Sequence, residues 1–271
     1  MKMTPAQITD VLAYLGVKAQ PPSLPAIDEM LHAYTRKVPW ESMSRIARRA
    51  RVTTNADACL MPSTFWASAM VHGTGGTCYE SNYAFLTLLR GLGYEGYLTI
   101  NNMGEKKGCH SAIILTLDDS DYLVDVGMPF HVAIPIHPAK KTACLGQFHT
   151  YSITPQGDEI YTIERDNHPN PYCYTIINKP MAEDVYQQIL INDYGAGGLF
   201  LDRAIITKVI DDRVWRFDSH SRPFQIEIFV PFSSDKFFQY MGKDVQTVAP
   251  ALSHAFGIHL DIIHTTLTLV I

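Results

Sequence analysis

A chain of 271 residues with 46% hydrophobic and 18% charged side chains has the composition of a globular protein, neither disordered nor membrane-embedded. Its formal charge of −5 argues against sequence-independent nucleic-acid binding, which needs a concentrated positive field. Five cysteines, an odd number with no CxxC pair, argue against both a disulfide framework and a structural zinc site, so reduced thiols are expected.

The N-terminal MKMTPAQITD holds one lysine and no apolar stretch, so it does not read as a signal peptide. No run approaches the roughly 18 apolar residues of a membrane span, and a cytoplasmic protein is expected. Thr4-Pro5 opens a helix with Ile8, Val11, Leu12 and Leu15 on one face. A second helix is predicted over 24–37, a third over 61–71, and a fourth from Cys78 until Gly91 and Gly93 stop it. The basic run from Arg45 to Arg51 reads as a solvated helix face.

From Tyr94 the pattern turns to short β-rich runs at 97–100, 111–117 and 122–126, the last two joined by Asp118-Asp-Ser-Asp121. Further strands are expected at 149–154 and 159–164, joined by Pro155-Gln-Gly-Asp158, and at 172–177. Closely spaced antiparallel strands of this kind suggest a barrel or a strongly curved sheet. A helix over 181–191 precedes a glycine-rich crossing at 192–198. Strands near 204–210, 214–217 and 224–229 follow, then helices near 235–241 and 245–256. The layout is mixed α+β: a helical bundle over 1–92, a β-barrel over 93–197 and an α/β tail over 198–271.

The stretch GTGGTCYESNYAF, residues 73–85, places Cys78 where a flexible loop becomes a helix. A helix N-terminus carries unpaired N–H groups and about half a positive charge, which favours a thiolate. Gly75 and Gly76 let backbone approach a substrate carbonyl, and the Cys78 N–H is a candidate oxyanion donor. His110 stands at the mouth of an apolar strand, and Asp125 interrupts the next one. A buried carboxylate there is costly unless paired. If the two strands form one hairpin, Asp125 can orient His110, and His110 can take the thiol proton.

In combination these blocks resemble the arylamine N-acetyltransferases. That family's Arg-Gly-Gly-X-Cys-(Phe/Tyr)-Glu-X-Asn signature is matched from Gly75 to Asn82 except for the arginine, which is Thr74 here. His110 matches the family's histidine, and Tyr122 to Gly127 reproduces its Tyr-Leu-Val-Asp-Val-Gly block unaltered. Val38-Pro39-Trp40-Glu41-Ser42 stands in the place of its Pro-Phe-Glu-Asn block. The resemblance covers the first 140 residues well and the remainder only in layout.

The resemblance implies a cysteine-protease-like core with a C-terminal α/β lid. It implies a Cys78, His110, Asp125 triad, with Cys78 accepting an acetyl group from acetyl-CoA and no metal involved. The acetyl group would pass by a ping-pong route to the nitrogen, or hydroxylamine oxygen, of an arylamine or hydrazine. The expected partners are coenzyme A and that small-molecule acceptor, with no nucleic acid and no membrane. Candidate substrate-binding residues are Trp40, Gly75, Gly76, Thr77, Met128 and Pro129. The family's loop arginine looks structural, and Arg36 and Arg45 are the candidates to replace it. Met128-Pro129 replaces the family's usual Phe-Gly at the acceptor pocket, and Trp40 adds bulk near the same place.

Two other readings fit the same residues. Transglutaminases and papain-like proteases also order Cys, His and Asp or Asn with the cysteine starting a helix, which leaves a hydrolase or amide-forming enzyme open. Thr74, Met128 and Pro129 leave open an inactive binding protein on the same scaffold. Cys109, His131, His137, Trp215 and Tyr240 read as structural, and Glu80 and Asn82 as braces for the helix or loop.

Overall fold

The computed structural model describes residues 2–128 and 130–271. The N-terminal part holds α1 (Pro5–Leu15), α2 (Leu24–Lys37), a short β1 (Trp40–Glu41), α3 (Met43–Arg51), α4 (Asn55–Ala58), α5 (Pro62–His72) and α6 (Cys78–Gly91). Next come β2 (Glu95–Met103), β3 (Lys106–Leu117), β4 (Ser120–Val124), β5 (Ile134–Pro135), β6 (Thr142–Leu145), β7 (Thr150–Gly157), β8 (Ile160–Arg165) and β9 (Tyr172–Ile177). The chain closes with α7 (Glu183–Asn192), β10 (Ile205–Ile210), β11 (Arg213–Asp218), β12 (Phe224–Phe229), β13 (Lys236–Gly242), α8 (Val245–Phe256) and α9 (Leu260–Val270). Among the described residues no helix is long and apolar enough to cross a membrane.

Local chemistry sets the helix ends. Thr4 and Gln7 form a reciprocal capping box ahead of α1, with Pro5 in its first turn. Ser23 caps α2 more simply, its hydroxyl accepting from Ala26 N. Cys78 is the first residue of α6, and the preceding Thr77 makes no side-chain cap, so its hydroxyl leaves the first-turn amides free.

The strands form two sheets. The larger, in the order β5-β4-β3-β2-β9-β8-β7-β6, is antiparallel throughout and curls until its ends β5 and β6 meet, a nearly closed barrel. The smaller, β1-β10-β11-β12-β13, carries α8 and α9. The fold is therefore α+β, with N-terminal helices, a central antiparallel barrel and a C-terminal sheet-and-helix part. β1 and the inner face of α3 join the C-terminal part although they lie early in the chain: Met43 and Ile46 pack with Phe217, Leu252 and Leu267.

β3 shows how the parts interlock. Ile113 and Leu115 pack into the helical core, while Ala112 and Ile114 pack into the barrel core. Both faces are buried, so the run from Ser111 is apolar without alternation.

Two expectations need correction. Residues 235–241 are not helical: Lys236–Gly242 is β13, paired with β12 at the sheet edge. Its Phe237, Phe238 and Tyr240 favour a pleated surface, and a short apolar run cannot tell helix from strand by period alone. Nor is Pro155-Gln-Gly-Asp158 the turn. The strand runs through it with a register shift between Pro155 and Gly157, and the chain reverses at Asp158-Glu159, both at positive φ. Asp118-Asp119 and Asp211-Asp212 make the same reversal, because aspartate tolerates the left-handed region that such hairpin turns demand.

Candidate active site

The loop before Cys78 is pinned to β1. Glu41 N donates to Gly76 O (3.2 Å), and Gly75 N donates back to Glu41 Oε1 (3.1 Å). A Cβ at position 75 would lie 1.7 Å from Pro39 O, so only glycine fits this approach. Glu41 is fully buried; burial pushes its carboxyl up, against the pull of Ser44 and Gly75, which donate to it.

The missing loop arginine has a counterpart that the sequence did not reveal. Thr74 only shares a hydrogen bond with Ser68 (2.7 Å). Arg48, from α3, instead braces the base of α6: its Nη2 meets Glu80 Oε1 (2.9 Å) and the Tyr194 hydroxyl (2.6 Å), and its Nε donates to Ala58 O (2.8 Å). Arg36 and Arg45 serve elsewhere, on Asp212 and Asp193 respectively. The basic run is consequently not a solvated face. Arg45 is fully buried, 4.0 Å over the Tyr194 ring.

His110 lies within β3, and Asp125 directly follows β4. Ile113 pairs with Val124, so the next rung sets Ala112 opposite Asp125, with His110 two residues along on the same face. The result is a hydrogen bond of 2.6 Å between His110 Nε2 and Asp125 Oδ2. The Cys78 thiol lies near the imidazole, close enough for its charge to act on the ring, and its own hydrogen bond goes to Cys109 O (3.9 Å). All three side chains are buried, Cys78 being 7% and His110 3% exposed. Burial pulls the imidazole down, but the charges of Asp125 and then Cys78 outweigh it and push His110 up to about 10.

Asp125 takes five donors. Its Oδ1 accepts from Asn82 Nδ2 (2.9 Å), Gly127 N (2.8 Å) and Met128 N (3.2 Å). Its Oδ2 accepts from His110 and from the Tyr174 hydroxyl (2.8 Å). Asn82 thus braces the carboxylate as well as the loop, since its Oδ1 also takes Val126 N (3.1 Å). Tyr174, on β9, is absent from the sequence reading. Burial and then the Asp125 charge hold its hydroxyl well above the tyrosine range, so it remains a donor.

A cavity of about 550 Å³ opens between the barrel and the C-terminal sheet. Val126, Gly127 and Met128 wall its inner end, and a Cβ at Gly127 would lie 2.6 Å from Cys78 Cβ, so the thiol sits one glycine behind that wall. Trp40 lines the cavity as expected, held edge-on to Phe200 at 5.1 Å, and so does Met128. Gly75, Gly76 and Thr77 are buried behind Cys78 and off the cavity wall, where they shape the loop. Pro129 lies outside the described residues. His131 is structural: its Nδ1 meets Thr35 Oγ1 (3.1 Å), and burial, then Arg36 and His32, pull it down to about 3. Among the described residues no group of three His, Cys, Asp or Glu could hold a metal ion.

A cysteine beside a hydrogen-bonded His–Asp pair, at the seam of a helical bundle and an antiparallel barrel, is the arrangement of a thiol triad. A family model described as N-acetyltransferase matches residues 23–265, and the chain belongs to that family. Its fold is similar to the arylamine N-acetyltransferase of Salmonella typhimurium, with a TM-score of 0.81 at 13% identity over 98% of this chain and 99% of that one. It is likewise similar to the arylamine N-acetyltransferase of Mycobacterium marinum solved in complex with CoA, with a TM-score of 0.77 at 17% identity over 97% and 99% of the two chains. At such identities the likeness is one of fold. Proansamycin X synthase of Amycolatopsis mediterranei (strain S699) is 26% identical over 134 residues, which are 46% of this chain. The match spans half the length of that curated relative.

Proposed function

We propose that the protein transfers an acetyl group from acetyl-CoA, through a thioester on Cys78, to the nitrogen of an arylamine or hydrazine. The observation that carries this reading is Cys78 beside the hydrogen-bonded His110–Asp125 pair, behind the cavity wall. Family membership and the fold shared with arylamine N-acetyltransferases, one of them bound to CoA, support the donor and the acceptor class.

The steps follow from where the protons sit. The reacting form is a Cys78 thiolate beside a His110 imidazolium, because only the thiolate attacks and the Asp125 charge favours the protonated ring. The thiolate attacks the thioester carbonyl, and the Cys78 N–H, in the uncapped first turn of α6, is the donor we assign to the developing oxyanion. The carbon–sulfur bond to CoA breaks, and the departing thiolate takes the proton of His110. In the second half-reaction the amine attacks the acetyl-Cys78 carbonyl. Neutral His110 accepts the amine proton as the bond to Cys78 breaks, which restores thiolate and imidazolium. Asp125 keeps the ring in one orientation through both steps. The aromatic and apolar part of the lining, from Tyr34, Val38, Trp40 and Phe148, suits an aryl group, and its basic part suits coenzyme A.

The test is the intact mass after incubation with acetyl-CoA, beside Cys78→Ala. The expected result is one acetyl adduct, absent from the variant and discharged by an arylamine. No adduct, together with CoA-independent cleavage or cross-linking of peptides, would replace this reading with the hydrolase or amide-forming one.

A further inference from the structure

Four basic side chains line the cavity: Arg165, Lys208, Arg216 and Lys236. Three of them are committed to protein partners. Lys208 Nζ donates to Phe256 O (2.8 Å). Arg216 meets Asp218 Oδ2 (2.7 Å) and Glu227 Oε2 (3.3 Å), and Lys236 meets Glu227 Oε1 (2.5 Å). Arg165 stands apart. Its Nε is buried without a hydrogen-bond partner, and the guanidinium forms no ion pair among the described residues.

Its placement is not that of a stray surface arginine. Along β8 the side chains of Tyr161 and Ile163 enter the barrel core, and the alternation puts Arg165 on that same inward face at the mouth. It pairs across the ladder with Tyr151, a buried ring that also lines the cavity. The groups around it leave its charge uncompensated. Burial and then Arg165 itself hold His168 down, and the same two causes lead for His149, so neither imidazole competes as a cation. Cys173 and Tyr151 are pushed up by burial and stay neutral. Asp166, next along the chain, is turned to the backbone, accepting from Thr150 N (2.7 Å), and Glu227 is taken up by Arg216 and Lys236. In this half-buried side chain Nε is shut off from water without a hydrogen-bond partner, and a bound oxyanion satisfies that donor and pairs the charge.

We infer that Arg165 is the anion-recognising residue of this cavity, closing its planar fork on a phosphate or carboxylate of the ligand. Which ligand enters rests on the acetyl-transfer reading, and there two sources offer the same chemistry: a phosphate of the CoA donor or a ring carboxylate on the acceptor. Either meets the two-pronged donor set that a lysine lacks.

The experiment uses Arg165→Gln and Arg165→Lys beside the wild type. CoA affinity is measured by calorimetry, and kcat/KM is compared for 4-aminobenzoate and its methyl ester. If a CoA phosphate is the partner, CoA binding weakens about 10- to 100-fold in Arg165→Gln, the loss expected for a charge-assisted contact. If an acceptor carboxylate is the partner, the acid-to-ester preference falls by that factor while CoA binding holds. Arg165→Lys recovers only part in either case, and serves as the variant of record if the glutamine protein fails to fold. Changes under twofold on both axes, in variants with wild-type melting temperature, overturn the inference. Failure of the acetyl-transfer reading shows separately, as wild-type protein that takes up no acetyl group. In that event pyrophosphate and benzoate are titrated directly: binding to wild type that is lost in Arg165→Gln upholds the site, and equal binding overturns it.

Discussion

Asp125 carries an unusual density of donors, and that density explains what the residue is for. Five hydrogen bonds, from three side chains and two loop amides, fix both oxygens, so His110 has one orientation available to it. Replacing Asp125 with Asn keeps the shape but offers an N–H where an acceptor is needed. The acetylation rate of Cys78 is expected to fall by about 10⁴-fold, as when the orienting carboxylate of a triad is lost. His110 loses the strongest of the influences that raise its pKa, so its titration, followed by imidazole NMR, moves down. Near-normal acetylation in Asp125→Asn would remove the triad from the mechanism. Cys78, His110 and Asp125 were legible in the sequence because each breaks a local pattern: a thiol after glycines, a histidine and a carboxylate at the ends of apolar strands. Tyr174 was not, because a tyrosine within Tyr172–Ile177 looks like any inward strand aromatic until the barrel closes and brings it over Asp125.

The start of α6 is where the elements must agree within a fraction of an ångström. Gly127 follows the end of β4, and its backbone lies against Cys78 so closely that an added Cβ would sit 2.6 Å from Cys78 Cβ and 2.9 Å from its Cα. Neither contact can be relieved by a flexible side-chain tip, so Gly127→Ala must part α6 from the strand end. A displacement near 1 Å is enough to cost about 100-fold in rate, while overpacking costs about 1–3 kcal/mol of stability. Stopped-time intact mass with acetyl-CoA is expected to show slow acetylation in a protein whose melting temperature falls only modestly. Acetylation at the wild-type rate would mean that the geometry at the thiol tolerates the shift. Helix starts and hairpins are local, which is why α1, α2, α5, α6 and the β3–β4 pair could be read from caps, periods and turn residues. Pairing at a distance cannot be read that way. β13 looks helical until β12 is beside it, and Arg45 looks solvated until Asp193, 148 positions later, covers it.

At the scale of the whole molecule the cavity exists only because barrel and C-terminal sheet face each other, and no local pattern encodes it. Lys208 reports on that assembly. It leaves β10 to cap the end of α8 through Phe256 O, so α8 is tied to the sheet by a half-buried ammonium. Burial first, then the charge of Lys37, pull its pKa down to about 8. Its ordinary value in an unfolded chain is about 10.4, and the sign follows from linkage. Between those two values the unfolded chain holds more protons than the native one, so stability rises with pH through that window. Below about pH 8 the whole cost of the buried charge is present. The hydrogen bond to Phe256 O favours the charged form and offsets part of that cost, which leaves about 1–3 kcal/mol. Urea unfolding of the wild type and Lys208→Met at pH 7.5 and pH 10 isolates the effect, because every other titrating group is common to both proteins. The wild type is expected to gain on the variant by that amount between the two pH values. A constant difference would mean that Lys208 keeps its proton throughout, held by the end of α8 more firmly than burial opposes it.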